Sequence, residues 1–222
     1  MVRIFRRSVS LALVAVLGAA QVACAAQNLS DNLSGAAPIH LAPGVNHISN
    51  FDTEGHPAEI VYAWRDNGNA HGYGVYSVLM PRPGKRNDWT LVTFDTHDMK
   101  RRGGSELDAL HDDPFDGEQS VASVRFLKGQ WKGERATLAI TAHRDLTNAG
   151  SFIDATPVDF AIYRLVANKE GLVGWPFYYF DLVQEFKSDK PYCNSDWALA
   201  KALSLPLPED YQGPHTDSGC IP

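Results

Sequence analysis

Apolar and other side chains alternate with period two in segment after segment of this chain, and that repeat constrains the fold more than any other feature. The clearest case spans residues 135–145, where Ala136, Leu138, Ile140 and Ala142 fall on one side and Thr137, Thr141 and His143 on the other. A β-strand points successive side chains to opposite faces, so this spacing predicts a strand with one face in a core. Residues 157–165 repeat the pattern, with Val158, Phe160 and Ile162 set against Asp159 and Tyr163. The two segments are expected to pair antiparallel. Further strands are expected at 39–41, 59–65, 74–80, 89–94, 121–127 and 177–184, separated by turn formers such as Pro81-Arg82-Pro83-Gly84 and Lys128-Gly129. Short strands with no helices alternating between them predict an all-β chain, an antiparallel β-sandwich with a short C-terminal helix. That helix starts at Asn194 or Ser195, either of which can cap it, carries Trp197, Leu199 and Leu203, and stops before Pro206. A second short helix is expected over 105–110.

The amino-terminal segment sets the compartment. Arg3, Arg6 and Arg7 precede an apolar run at 11–20, and Ala23-Cys24-Ala25 offers small residues at a cleavage site. The run is about ten residues, half of the roughly twenty that a helix needs to cross a bilayer, so residues 1–25 read as a secretory signal peptide. Gln21 stands where lipoprotein processing wants a bulky aliphatic residue, which argues against lipidation of Cys24. Residues 26–38 are small and polar and read as a flexible leader, and 39–222 as a single β-sandwich domain. The expected location is periplasmic or secreted. Cleavage after Ala25 removes three arginines and no acid, taking the formal charge from −6 to −9. So acidic a surface repels phosphate backbones and anionic lipid, which argues against a nucleic-acid partner, and no second apolar run predicts stable membrane insertion. Cleavage also leaves Cys193 and Cys220, 27 positions apart. In an exported chain they most simply form a disulfide that tethers the C-terminal tail, worth about 3–4 kcal/mol on the chain-entropy model. The alternative is a pair of free or metal-binding thiols, although two cysteines close no zinc site.

The most polar connection lies between two strongly β-like runs and carries Arg65, Asp66, Asn67, Gly68, Asn69, His71, Gly72 and Tyr73. Asp, Asn and Gly are ordinary turn formers. Arg65, His71 and Tyr73 are not, and an arginine, an imidazole and a phenol at the end of a sheet suit a small anionic or polar ligand. Arg65, Asp66, Asn67, Asn69, His71 and Tyr73 are therefore the candidate ligand-binding residues. Buried ion pairing of Arg65 with an acid is the architectural alternative. Two further clusters are His97-Asp98 and His111-Asp112-Asp113 with Asp116 and Glu118. Such groups can hold a divalent cation, but neither matches a defined ligand spacing, and solvated acidic loops explain them as well. No cofactor is indicated. No Gly-x-Ser-x-Gly elbow and no Ser-x-x-Lys or Lys-Thr-Gly mark is present, so no catalytic residue is assigned. An enzyme would have to be a metal-dependent hydrolase assembled from Asp66, His71, His97, Asp98 and His111.

Four strings together resemble the CarG-like family: the 65–72 loop, Ala142-His143-Arg144-Asp145, the segment 156–165, and Pro191-Tyr192-Cys193-Asn194 before the terminal helix. That family is named for an exported carbapenem intrinsic-resistance protein of Gram-negative bacteria. The resemblance implies a β-sandwich in the periplasm that acts in antibiotic resistance by binding or protection, with a small molecule such as a β-lactam as its partner. An envelope protein as partner, with a structural role, is the further alternative.

Overall fold

The structure, a computed structural model, describes residues 32–68, 72–85, 87–98, 105–115, 119–171 and 173–221. The expected signal peptide lies outside them, as do Asn69, His71, Asp116 and Glu118. The strands are β1 (Leu33–Pro38), β2 (Gly44–Ile48), β3 (Ala58–Arg65), β4 (Tyr73–Pro81), β5 (Trp89–Asp95), β6 (Glu106–Leu107), β7 (Leu110–His111), β8 (Ala122–Trp131), β9 (Glu134–Arg144), β10 (Val158–Ala167) and β11 (Tyr178–Lys187), followed by one helix, α1 (Ser195–Leu203). Among the described residues no helix is long and apolar enough to cross a membrane.

The chain is mostly β, but the strands form one hydrogen-bonded path rather than two facing sheets. The order is β1-β8-β9-β10-β11-β5-β4-β3-β2, with β6 on β5 and β7 on β4. Two antiparallel meanders, β2 to β5 and β8 to β11, are joined by a single parallel pair, in which Thr93, Phe94 and Asp95 of β5 lie opposite Tyr179, Phe180 and Asp181 of β11. The result is a curled, mixed half-barrel, which corrects the expected antiparallel sandwich. Phe94 and Phe180 stack face to face at 4.9 Å across that junction, and Phe51 meets Phe180 edge-on at 6.3 Å. Such ring contacts add to the burial of the rings themselves.

The curl explains why several strands are buried on both faces. From β9 and β10, Ala139 and Tyr163 point into the half-barrel with Phe94, Phe126 and Phe180. Their neighbours Leu138, Ile140 and Ile162 point outward, where Trp197, Ala198 and Leu199 of α1 cover them. The predicted antiparallel pairing of β9 with β10 is present, with Phe160 opposite Ala142 and Ile162 opposite Ile140. Asn194 caps α1, its Oδ1 accepting from the N–H groups of Asp196 (2.9 Å) and Trp197 (3.1 Å). The Ser195 hydroxyl instead joins Ser120 (2.8 Å) and Ser123 (2.6 Å) in a buried cluster. Cys193 and Cys220 are bonded, and Gly219 beside that bond packs on the Trp197 ring.

Three local expectations change. Residues 33–38, read as leader from their small side chains, form β1 and pair with β8. Gly129 on β8 admits this edge strand, since a Cβ there would lie 3.1 Å from the Ser34 carbonyl oxygen. Residues 39–41 are not a strand; only the Ile39 N–H extends the ladder, donating to Phe126 O at 2.8 Å. The helix expected over 105–110 is absent. Those residues give β6 and β7, because Leu107 pairs opposite Phe94 while Leu110 enters the interior, and tertiary pairing overrides a short helical propensity.

Candidate functional site

Loop 66–72 joins β3 to β4, and Arg65 and Tyr73 stand opposite each other at its base. Opposite residues project to the same face. The Arg65 Nη1 donates to the Tyr73 hydroxyl, and the guanidinium carbon lies 5.3 Å from the Tyr73 ring centroid. β7 pairs with β4 and brings His111 beside them, its ring edge-on to Tyr73 at 5.2 Å. Asp66 closes the turn, with Oδ1 accepting from the Gly68 N–H at 2.7 Å. Arg65, Asp66 and Asn67 are exposed and Tyr73 is half-buried, so Arg65 is not the buried ion-pair member of the architectural alternative. Of the six predicted binding residues, the structure joins Arg65 to Tyr73, gives Asp66 a turn role and leaves Asn67 at the surface. Asn69 and His71 lie outside the described residues.

The opposite face of the same strands carries a second polar group that period-two reading did not connect. Tyr62 and Tyr76 stack at 4.6 Å, and the Tyr76 hydroxyl donates to Asp112 Oδ2 at 2.5 Å. The Gly74 N–H donates to Asp112 Oδ1 at 2.7 Å. A Cβ at residue 74 would come within 2.4 Å of that oxygen, so only glycine lets the carboxylate lie on the backbone here. Burial pushes the Asp112 carboxyl up, against the two hydrogen bonds, which favour its charged form. Burial and then the Asp112 charge push the Tyr62 and Tyr76 phenols up. Tyr76 is therefore a fixed donor, and the group ties β7 to β4. The signal available in the sequence was the shared inward parity of Tyr62 and Tyr76.

Two His-carboxylate triads occur among the described residues. His97 Nε2 lies 2.8 Å from Asp181 Oδ1 and 3.8 Å from Asp95 Oδ2, the two aspartates facing each other across the parallel pair. At the far end of the half-barrel, Asp52 Oδ1 accepts from the N–H groups of Glu54 (3.0 Å) and His56 (2.8 Å), while Oδ2 lies 2.6 Å from His56 Nδ1. Lys169 forms an ion pair with Glu54. In each triad the ligating atoms fall within 4.8 Å of one another, close enough for a divalent cation, and in each the imidazole already engages a carboxylate. The Asp-x-Glu-x-His spacing at 52–56 is the sequence signal for the second triad. The described members of the hydrolase set do not form one cluster: His97 turns to Asp181, and His111 to Tyr73.

No protein-family model matches the chain, and no curated protein sequence matches it. Among solved structures, the crystal structure of CarG is similar, with a TM-score of 0.54 at 17% sequence identity, covering 80% of this chain and 99% of CarG. At that identity the likeness is one of fold.

Proposed function

We propose that this chain is exported to the periplasm and works there as a non-catalytic binding protein that protects against a β-lactam, in the manner the CarG-like resemblance implies. The observation that carries the proposal is the fold held in common with almost the whole of CarG. The secretory pattern of residues 1–25 supports export, and the Cys193–Cys220 bond suits an oxidising compartment. The contact surface is the 65–73 loop. Arg65 offers a planar donor fork beside the Tyr73 ring, Asp66 and Asn67 stand exposed next to it, and Asn69 and His71 are the further polar residues that the sequence supplies to this loop.

A protein that sequesters acts in proportion to its amount, whereas an enzyme turns over. Purified mature protein is incubated with a large excess of a carbapenem while ring opening is followed by absorbance, and the susceptibility of a deletion strain is measured across β-lactams. The expected result is increased susceptibility without catalytic ring opening. Unchanged susceptibility overturns the protective role. Chelator-sensitive turnover overturns the non-catalytic reading in favour of a metal-dependent hydrolase, which the two His-carboxylate triads favour.

A further inference from the structure

The end of the half-barrel opposite the 65–73 loop holds a groove. β4 is nine residues long, which at roughly 3.3 Å per residue separates the two places by about 26 Å. One hollow of about 650 Å³ is walled by Pro81, Pro83, Ala167, Phe177 and Tyr178. A second of about 340 Å³ adjoins it and adds Arg135 and Arg164; the two share Glu54, Ala167, Lys169 and Tyr178, so they are one continuous groove. Sizes of roughly 300–1,000 Å³ suit a small organic ligand.

Most ionisable groups around the groove already have a partner. Asp52 holds His56 at 2.6 Å, Glu54 holds Lys169, Glu134 holds Arg164 at 2.7 Å, and Asp88 stands 3.4 Å from Arg82. Arg135 is exposed, lines the groove and has no ion pair among the described residues. Arg82 also lies 5.1 Å from the Phe177 ring centroid, which fixes the aromatic wall. An uncommitted guanidinium in the second hollow and the proline and aromatic wall of the first, which meet at Tyr178, are together complementary to an apolar ring with one negative charge. We infer that this groove is a second binding site, for a small ring compound bearing a single anionic group, with the ring against Phe177 and Tyr178 and the anion on Arg135. The site is separate from the loop of the proposed function, and only the carbapenem arm of its test rests on that reading.

The probes are 8-anilinonaphthalene-1-sulfonate and its uncharged counterpart N-phenyl-1-naphthylamine, titrated by fluorescence into the full mature protein. The sulfonate is expected to bind the parent and to bind Arg135→Gln about tenfold more weakly, the loss of one charge-assisted hydrogen bond. The uncharged probe is expected to bind both equally, and Phe177→Ser to weaken both probes. Lys187→Gln, at the other end of the barrel, is expected to match the parent. Arg135 is exposed, so equal melting temperatures confirm that the variant is folded. No sulfonate binding, or equal binding by Arg135→Gln and the parent, overturns the site. A carbapenem is then added as competitor. Displacement makes this groove a seat for the proposed ligand; Arg135-dependent sulfonate binding with no displacement keeps the groove and counts against the carbapenem reading alone.

Discussion

Arg144 offers the most demanding test of how the outward face is held together. It ends β9 with none of its surface exposed, and its guanidinium donates to the carbonyls of Gln119 (3.2 Å), Phe152 (2.7 Å) and Asp154 (2.7 Å). It thus pins the connection between β9 and β10 to the residues before β8. Arg144→Met keeps most of the apolar stem and removes the donors. Each of the three carbonyls left without its donor costs about 1–3 kcal/mol, and relief of the buried charge returns part of the sum, so the net loss should be about 3–5 kcal/mol. For a domain of this size each kcal/mol moves the melting temperature by about 2–4 °C, which gives a fall of roughly 6–20 °C. Urea unfolding measures the energy and calorimetry the temperature. Arg144→Lys keeps the charge but not the planar fork and should fall between parent and Met. His143, one residue back, faces the other way and is exposed, so His143→Ala should change stability by less than about 0.5 kcal/mol. Equal effects at 143 and 144, or a loss below about 1 kcal/mol for Arg144→Met, would refute the reasoning.

Cys220→Ser should lower stability by about 3 kcal/mol through a less constrained unfolded chain, and equal thiol alkylation of denatured protein with and without reductant would contradict the bond. Arg65→Ala and Tyr73→Phe should weaken protection while the melting temperature stays within a few degrees, because Arg65 is exposed and the Tyr73 change removes only a hydroxyl from a half-buried ring; a large stability loss with protection retained per folded molecule would assign the loop to architecture. Hydrogen bonds from Lys187 and Thr147 hold the Asp145 carboxyl down at about 2, so its contribution to stability is present above the ordinary carboxylate range and lost as pH falls through about 2. In an NMR titration, Lys187→Met should move the Asp145 midpoint up; an unmoved midpoint would exclude the pairing. Asp112 has the opposite sign: its folded value is raised, so its contribution is full below the ordinary carboxylate range and is lost as pH rises through the raised value. Asp112→Asn should flatten that decline in urea unfolding across pH, and parallel curves for parent and variant would rule it out.

Period-two alternation revealed the faces of the strands but not their partners. It placed Ala136, Leu138, Ile140 and Ala142 on one face of β9, where they meet α1 and its surroundings, and it paired β9 with β10. It did not reveal that β5 leaves β4 after Val92 to lie parallel to β11, because that contact joins residues far apart in sequence and depends on stacking of Phe94 on Phe180. β1 was hidden for another reason: after Leu33 the segment to Pro38 is small residues and proline with no alternation, and its pairing relies on backbone bonds and the space above Gly129. At the candidate site, the polar string at 65–73 was legible as a loop with unusual members. Its association with His111 was not, since β7 is two residues long and carries no period.

The same parity separates the proposed contact surface from the inner polar network around β4. Tyr73 projects outward to Arg65 and His111, whereas Gly74 and Tyr76 face Asp112 on the inner side. A ligand held by the outer couple could therefore be gained or lost without disturbing the inner network, in which the half-buried Asp112 ties β7 to Gly74 and the buried Tyr76. At the other end the two roles converge on one segment. Phe51 is fully buried against Phe180, and its carbonyl accepts from the Thr137 hydroxyl on the groove wall. The next residues, Asp52, Glu54 and His56, border the groove. Substitutions at 51–56 would consequently mix loss of core packing with loss of any ligand. Arg135 contributes to the wall from β9 and is exposed, so its substitution tests the proposed binding with little expected effect on folding.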